Sequence, residues 1–141
     1  MSSGRIDDIW FTTRDGLRLH GQRYRPAART TRAPVLCLGG LTRNGRDFHD
    51  IAVALSGYAP AREVLTLDSR GRGMSEHDPD WRNYSVPIEM LDVQDFMAAA
   101  GLESAAFLGT SRGGLITMVL AAAQPGLIRS AILNDIGPVI E

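Results

Sequence analysis

Hydrophobic and polar positions along this chain switch several times between strand-like and helix-like spacing, and the switches set the expected order of elements. Residues 9–13 and 17–24 are β-type runs around Arg14-Asp15-Gly16, which predicts a hairpin turn with its glycine at positive φ. After a loop over 25–33, Pro34-Val35-Leu36-Cys37-Leu38 is continuously apolar, the pattern of a strand covered on both faces. Residues 47–55 place Phe48, Ile51, Ala52 and Leu55 on one helical face, with Gly57 beyond the end. Residues 63–67 predict a second buried strand, and 76–84 an exposed loop. Over 86–100, Ile88, Leu91, Val93, Phe96 and Met97 predict an amphipathic helix that Ser85 caps, that admits Pro87 in its first turn and that Gly101 ends. Residues 105–108 predict a further buried strand, 115–123 an apolar helix stopped by Gln124-Pro125-Gly126, and 131–133 the start of one more buried strand. Strands alternating with helices after an opening hairpin predict an α/β fold, with an antiparallel pair first, then mostly parallel strands and helices on both faces.

Composition narrows the class further. The 141 residues, 44% of them apolar, suffice for one domain with a core. A net charge of −1 and scattered arginines give no basic surface for nucleic acid or an anionic membrane. The first residues show no apolar leader and no run is long enough to cross a bilayer, so a cytoplasmic setting is expected. The single cysteine, Cys37, sits between Leu36 and Leu38 and reads as a small core residue rather than a reactive thiol. With no histidine pair at ligand spacing, no cysteine cluster and no P-loop, neither a metal nor a cofactor is expected.

The chemistry concentrates where the strand at 105–108 meets the following helix. Gly109-Thr110-Ser111-Arg112-Gly113 fits G-x-S-x-G, in which a serine on a strained strand-to-helix turn holds its hydroxyl above the sheet. Gly109 and Gly113 lack a Cβ, so strand and helix can pass closely. The turn sets the backbone N–H of Arg112 at a helix start, where an unpaired donor and the positive end of the helix dipole can face a developing oxyanion. Ser111 is therefore the candidate nucleophile.

Other loops converge on the same end of the sheet. Gly39-Gly40-Leu41-Thr42-Arg43-Asn44-Gly45 follows a central strand, and the N–H of Leu41 is the candidate second oxyanion donor. Asp68-Ser69-Arg70-Gly71-Arg72-Gly73-Met74-Ser75 reads as a turn in which Asp68 is locked against Arg70 or Arg72. Asp135 follows the run at 131–133, either as the acid of a catalytic triad or as an acceptor for backbone N–H groups before Pro138. In open α/β sheets ligands bind at the carboxyl ends of the strands, so these loops and Ser111 should meet there. Arg43, Asn44, Trp81 and Tyr84 are candidate pocket-lining residues.

Taken in order, 38–44, 68–75, 109–114 and 133–138 resemble the α/β-hydrolase superfamily, and the resemblance extends over nearly the whole chain. It is to bacterial serine hydrolases acting on small acyl substrates. It implies Ser111 as nucleophile, and Leu41 and Arg112 as oxyanion donors. Members usually carry His or Pro where this chain has Gly40, a change that leaves the backbone donor in place. The resemblance also implies a cap after the sixth strand and a general-base histidine after the last strand, in the chain order Ser, Asp/Glu, His.

This sequence reaches Glu141, just past its sixth strand, and His20, His49 and His77 all precede Ser111. Each of the three reads as an ordinary surface or half-buried histidine. Residues 1–141 are thus expected to be the amino-terminal portion of a hydrolase core, completed by a carboxyl-terminal fragment or chain that carries the base. On that expectation the strand at 132–133 is an edge with uncovered apolar surface. Two alternatives remain: a binding protein that keeps the elbow without chemistry, and a self-contained enzyme with His77 as base. Carbon–carbon bond hydrolysis uses the same elbow, so the reaction type stays open beside ester hydrolysis.

Overall fold

In the computed structural model, which describes residues 4–40 and 45–134, β1 (Arg5–Thr12) and β2 (Arg18–Arg25) pair antiparallel about the expected turn, with Gly16 at φ 92°. The turn is closed by Thr13, whose backbone N–H donates to the Leu17 carbonyl at 2.8 Å. Next come β3 (Val35–Leu38), a short 3₁₀ turn (Gly45–Phe48) running into α1 (His49–Gly57), and β4 (Val64–Asp68). They are followed by α2 (Val86–Ala100), β5 (Ala105–Thr110), α3 (Arg112–Ala123) and β6 (Ile128–Asn134). The sheet order is β1-β2-β4-β3-β5-β6. β2 pairs antiparallel with β4, and β3–β4, β3–β5 and β5–β6 are parallel, so the strands carrying the candidate loops point the same way.

Burial explains the continuous apolar runs. Every residue of β3 and β4 is buried because helices cover both faces of the sheet. On the α2–α3 face, Leu36, Leu38, Leu65, Leu67 and Phe107 pack with Val93, Phe96, Met97, Ile116 and Leu120. On the α1 face, Val35, Cys37 and Val64 pack with Tyr24, Phe48 and Ala52. Each fully buried aliphatic or aromatic side chain contributes about 1.5–3 kcal/mol relative to exposure. Cys37 is wholly inside, and burial pushes its thiol up to about 12, as befits a core residue.

Helix ends follow their local chemistry. Ser85 Oγ accepts from the Ile88 N–H at 3.4 Å at the start of α2, Pro87 lies in the first turn, and Gly101 ends the helix at φ 74°. Two expectations need correction. Ile51 does not join the buried face of α1: it is 43% exposed, because the 3₁₀ turn rotates the helix so that Phe48 and Ala52 face the sheet. β6 is not a buried strand, since Ile132 is 68% and Leu133 40% exposed, with β5 its partner on one side and none on the other among the described residues. No helix among the described residues is long and apolar enough to cross a membrane.

Candidate active site

The turn between β5 and α3 is sharp because of two missing side chains. A Cβ on Gly113 would lie 2.0 Å from the Leu38 carbonyl oxygen, and one on Gly109 would lie 2.8 Å from Gly114 Cα. Helix α3 therefore packs directly against the ends of β3 and β5. Between them Ser111 adopts φ 53°, ψ −114°, the one non-glycine residue with positive φ among those described. Such a conformation costs about 1–3 kcal/mol and persists only where its surroundings over-determine it.

Several contacts do so here. Ser111 N–H donates to the Asn134 carbonyl of β6 at 3.1 Å, and the Ser111 carbonyl accepts from Gly114 N–H at 2.9 Å and Leu115 N–H at 3.2 Å. The residue is exposed, and its hydroxyl has no hydrogen-bond partner among the described residues. Arg112 is the first residue of α3, so its N–H belongs to the unpaired first turn of a helix and points its dipole toward the turn.

The Arg112 side chain folds away toward α2. Its Nε donates to Glu89 Oε2 at 3.1 Å, Nη2 donates to the same oxygen, and Nη2 also reaches the Tyr84 carbonyl at 3.2 Å. Glu89 is buried in the first turn of α2, where the helix dipole favours its negative charge. Gly39, Gly40, Ser69, Arg72, Tyr84, Glu89 and Arg112 enclose a small cavity of about 10 Å³ where these loops meet.

Of the remaining candidates, Leu41, Arg43, Asn44 and Asp135 lie outside the described residues. Tyr84 comes to the site through its backbone carbonyl, while its hydroxyl accepts from Asp78 N–H at 2.7 Å. Trp81 does not join it: the indole is 79% exposed on a short 3₁₀ turn that Asp80 caps.

The loop after β4 is clamped, but by partners other than those expected. Arg70 is buried and turns away from Asp68 to bind Asp92 at 2.6 Å, Asp78 at 2.8 Å and Asp15 at 3.0 Å. Burial pushes the Asp92 carboxyl up to about 6 against the pull of Arg70, whereas the hydrogen bond from Arg70 holds Asp15 below its ordinary range. Asp68 instead accepts from Gly45 N–H at 2.8 Å and Met74 N–H at 3.2 Å, and pairs with His20 Nδ1 at 2.8 Å.

His20 is thus neither a surface nor a half-buried histidine. It is 3% exposed, with Nε2 2.8 Å from Asp8, whose carboxyl this contact lowers. β2 stands three strand spacings from β5, roughly 14 Å, so His20 braces the sheet rather than the elbow. His49 is tied to the Tyr24 hydroxyl at 2.8 Å, and His77 is exposed in the loop after β4. Sequence reasoning missed Glu89, Asp78 and Asp92. The signal available was a carboxylate pair three residues apart on the apolar face of α2, which only buried cations can explain.

Two larger cavities flank these elements. One of about 490 Å³ lies over β2 and β4, lined by His20, Gln22, Tyr24, His49 and Asp68 among others. The other, about 420 Å³, adjoins the elbow strand and is lined by Gly39, Gly40, Phe48, Ile51, Leu108, Thr110 and Asn134. The second is the one beside Ser111, and conformation at the serine rather than cavity size marks the site. No group of three or more His, Cys, Asp or Glu side chains among the described residues is arranged to hold a metal.

Comparison with known proteins agrees with this architecture. Residues 33–141 match the family model for the alpha/beta hydrolase fold. A 3-hydroxybutyrate-oligomer hydrolase of Cupriavidus necator is 41% identical over 104 residues, covering 74% of this chain and 34% of that protein. Lipase LipV of Mycobacterium tuberculosis is 33% identical over 120 residues, covering 83% of this chain and 41% of that protein. The crystal structure of an alpha/beta hydrolase from Novosphingobium aromaticivorans superposes with a TM-score of 0.85 at 44% identity, over 98% of this chain and 46% of that one. The chain therefore spans between a third and a half of the length of these relatives. With the parallel strands, the glycine-lined turn and the strained serine all in the matched region, the chain belongs to the α/β-hydrolase family.

Proposed function

We propose that this chain is the nucleophile-bearing part of a serine hydrolase that acts on a small ester, thioester or related acyl substrate. The observation that carries the reading is the conformation of Ser111, with positive φ at a non-glycine residue between two glycines that admit the close approach of α3. Ser111 Oγ attacks the acyl carbon while a histidine supplied from outside these residues accepts its proton. The N–H of Arg112, joined by that of Leu41, stabilises the tetrahedral oxyanion, each donor contributing about 3 kcal/mol in comparable sites. The leaving group takes its proton from the histidine, and water then releases the acyl group by the same steps in reverse. Asp135 is the candidate to orient the histidine. The relatives' names, an oligomer hydrolase and a lipase, are in keeping with acyl chemistry.

In this reading a carboxyl-terminal segment brings the cap, the histidine and the cover for β6. Hydrolysis of a short-chain p-nitrophenyl ester tests it. The chain joined to such a segment should turn over the ester and Ser111→Ala should abolish turnover, while residues 1–141 alone should be inactive. Turnover by the isolated chain, lost in His77→Ala, would contradict the need for an outside base.

A further inference from the structure

The reading of Ser111 as nucleophile leaves one buried charge pair at the site without a part. Glu89 and Arg112 are joined through Nε and Nη2, with Glu89 6% exposed overall and the Arg112 side chain 20% exposed. Burying a carboxylate beside a helix N-terminus costs desolvation that a surface position would avoid. The pair does not bind a loop to solvent; it joins two helices. Arg112 is the first residue of α3, and Glu89 lies in the first turn of α2.

The backbone of the elbow is fixed on one side by the Ser111 N–H to Asn134 bond, and below by Gly113 against the Leu38 carbonyl. The peptide between Ser111 and Arg112, which carries the candidate oxyanion N–H, is held at its carbonyl by Gly114 N–H and Leu115 N–H, so the direction of that N–H follows the first turn of α3, which begins at Arg112. The guanidinium held by Glu89 and by the Tyr84 carbonyl tethers the far side of that residue.

We propose that Glu89 is a positioning residue for the oxyanion donor, acting through the Arg112 side chain to hold the Arg112 N–H toward the acyl oxygen of the substrate. This rests on the nucleophile reading and deepens it. The same pairing also occupies the guanidinium, so Arg112 serves as an anchor rather than as a receptor for a substrate carboxylate. Because an oxyanion donor matters most when charge has developed on the oxygen, loss of the anchor should lower kcat and leave KM largely alone.

The test compares Glu89→Gln, Glu89→Ala, Arg112→Met and the Glu89→Ala/Arg112→Met pair in the enzyme assembled with its histidine-bearing segment. Readouts are kcat and KM on a p-nitrophenyl ester and affinity for a trifluoromethyl ketone, which forms a tetrahedral anion on the serine. Misplacing a donor should lower kcat about 10- to 100-fold in Glu89→Ala, with KM within about two-fold and ketone affinity falling in parallel. Glu89→Gln, which keeps an acceptor, should recover part of the loss, and the double variant should be no worse than Arg112→Met, since the two residues act as one unit. Should Glu89→Ala fail to fold, Glu89→Gln and Arg112→Met carry the test. Activity that survives Ser111→Ala overturns the nucleophile reading and this proposal with it. Activity lost in Ser111→Ala, together with Glu89→Gln and Arg112→Met enzymes that keep kcat and ketone affinity within about two-fold, overturns this proposal alone. Additive losses in the double variant would also overturn it.

Discussion

Ser111 and its flanking glycines carry the strongest local statement in the molecule. The motif predicts a strained serine and a close strand–helix approach, and both are found, with φ 53° at Ser111 and a gap at Gly113 too narrow for a methyl group. The contact at Gly113 is with backbone, which cannot rotate away. Gly113→Ala should therefore destabilise the fold by about 2 kcal/mol or more, seen as a lower denaturant midpoint with unchanged slope. An unchanged midpoint would mean that α3 can shift off the end of β3. The serine was legible because its spacing is local, five residues that encode one turn. Asp68, Arg70 and His20 were not, because their partners lie far away in sequence. Asp68 meets His20 across β2 and β4, and Arg70 meets Asp15 and Asp92 from the hairpin turn and α2. Charge in a turn signals a clamp, but the tertiary pairing decides what is clamped.

Hydrophobic periodicity located nearly every element and failed at their ends. The strands β3 and β4 are covered on both faces and read as unbroken apolar runs, which spacing alone can recognise. The polar residues of α2 are different: Glu89 and Asp92 sit on its buried side, where a hydrophobic count sees nothing. They tie α2 to the elbow through Arg112 and to the loop after β4 through Arg70. Arg70 also reaches Asp15, so the hairpin turn, the loop and the helix share one cation. The hydrogen bond from Arg70 holds Asp15 below its ordinary 3.8, so the unfolded chain takes up this proton first as pH falls. Stability from the contact is complete above that ordinary value and is lost as pH falls through the lowered one. Asp15 is partly exposed, which keeps the effect modest. Thermal unfolding should lose midpoint between about pH 5 and pH 3 more steeply in the parent than in Asp15→Asn. Parallel curves would show that the turn does not depend on this charge.

At the scale of the whole molecule, the fold is legible because alternation of strands and helices permits few sheet topologies. The observed order β1-β2-β4-β3-β5-β6 puts Ser111 at the carboxyl end of β5, between β3 and β6, with α2 and α3 on one face and α1 on the other. The exposed apolar residues of β6 and the extent of the match to relatives support the reading that a further segment completes the sheet. Substrate preference is not legible at this scale, since neither the apolar runs nor the sheet order names an acyl group.

Site mapping of a fluorophosphonate adduct on the assembled enzyme asks whether Ser111 is the nucleophile. Tryptic cleavage after Arg82 and Arg112 yields a peptide holding Ser85, Ser104 and Ser111, and fragment ions separate the three. The adduct is expected on Ser111, with ester hydrolysis lost in proportion to labelling. An active enzyme whose Ser111 stays unmodified would place the nucleophile elsewhere.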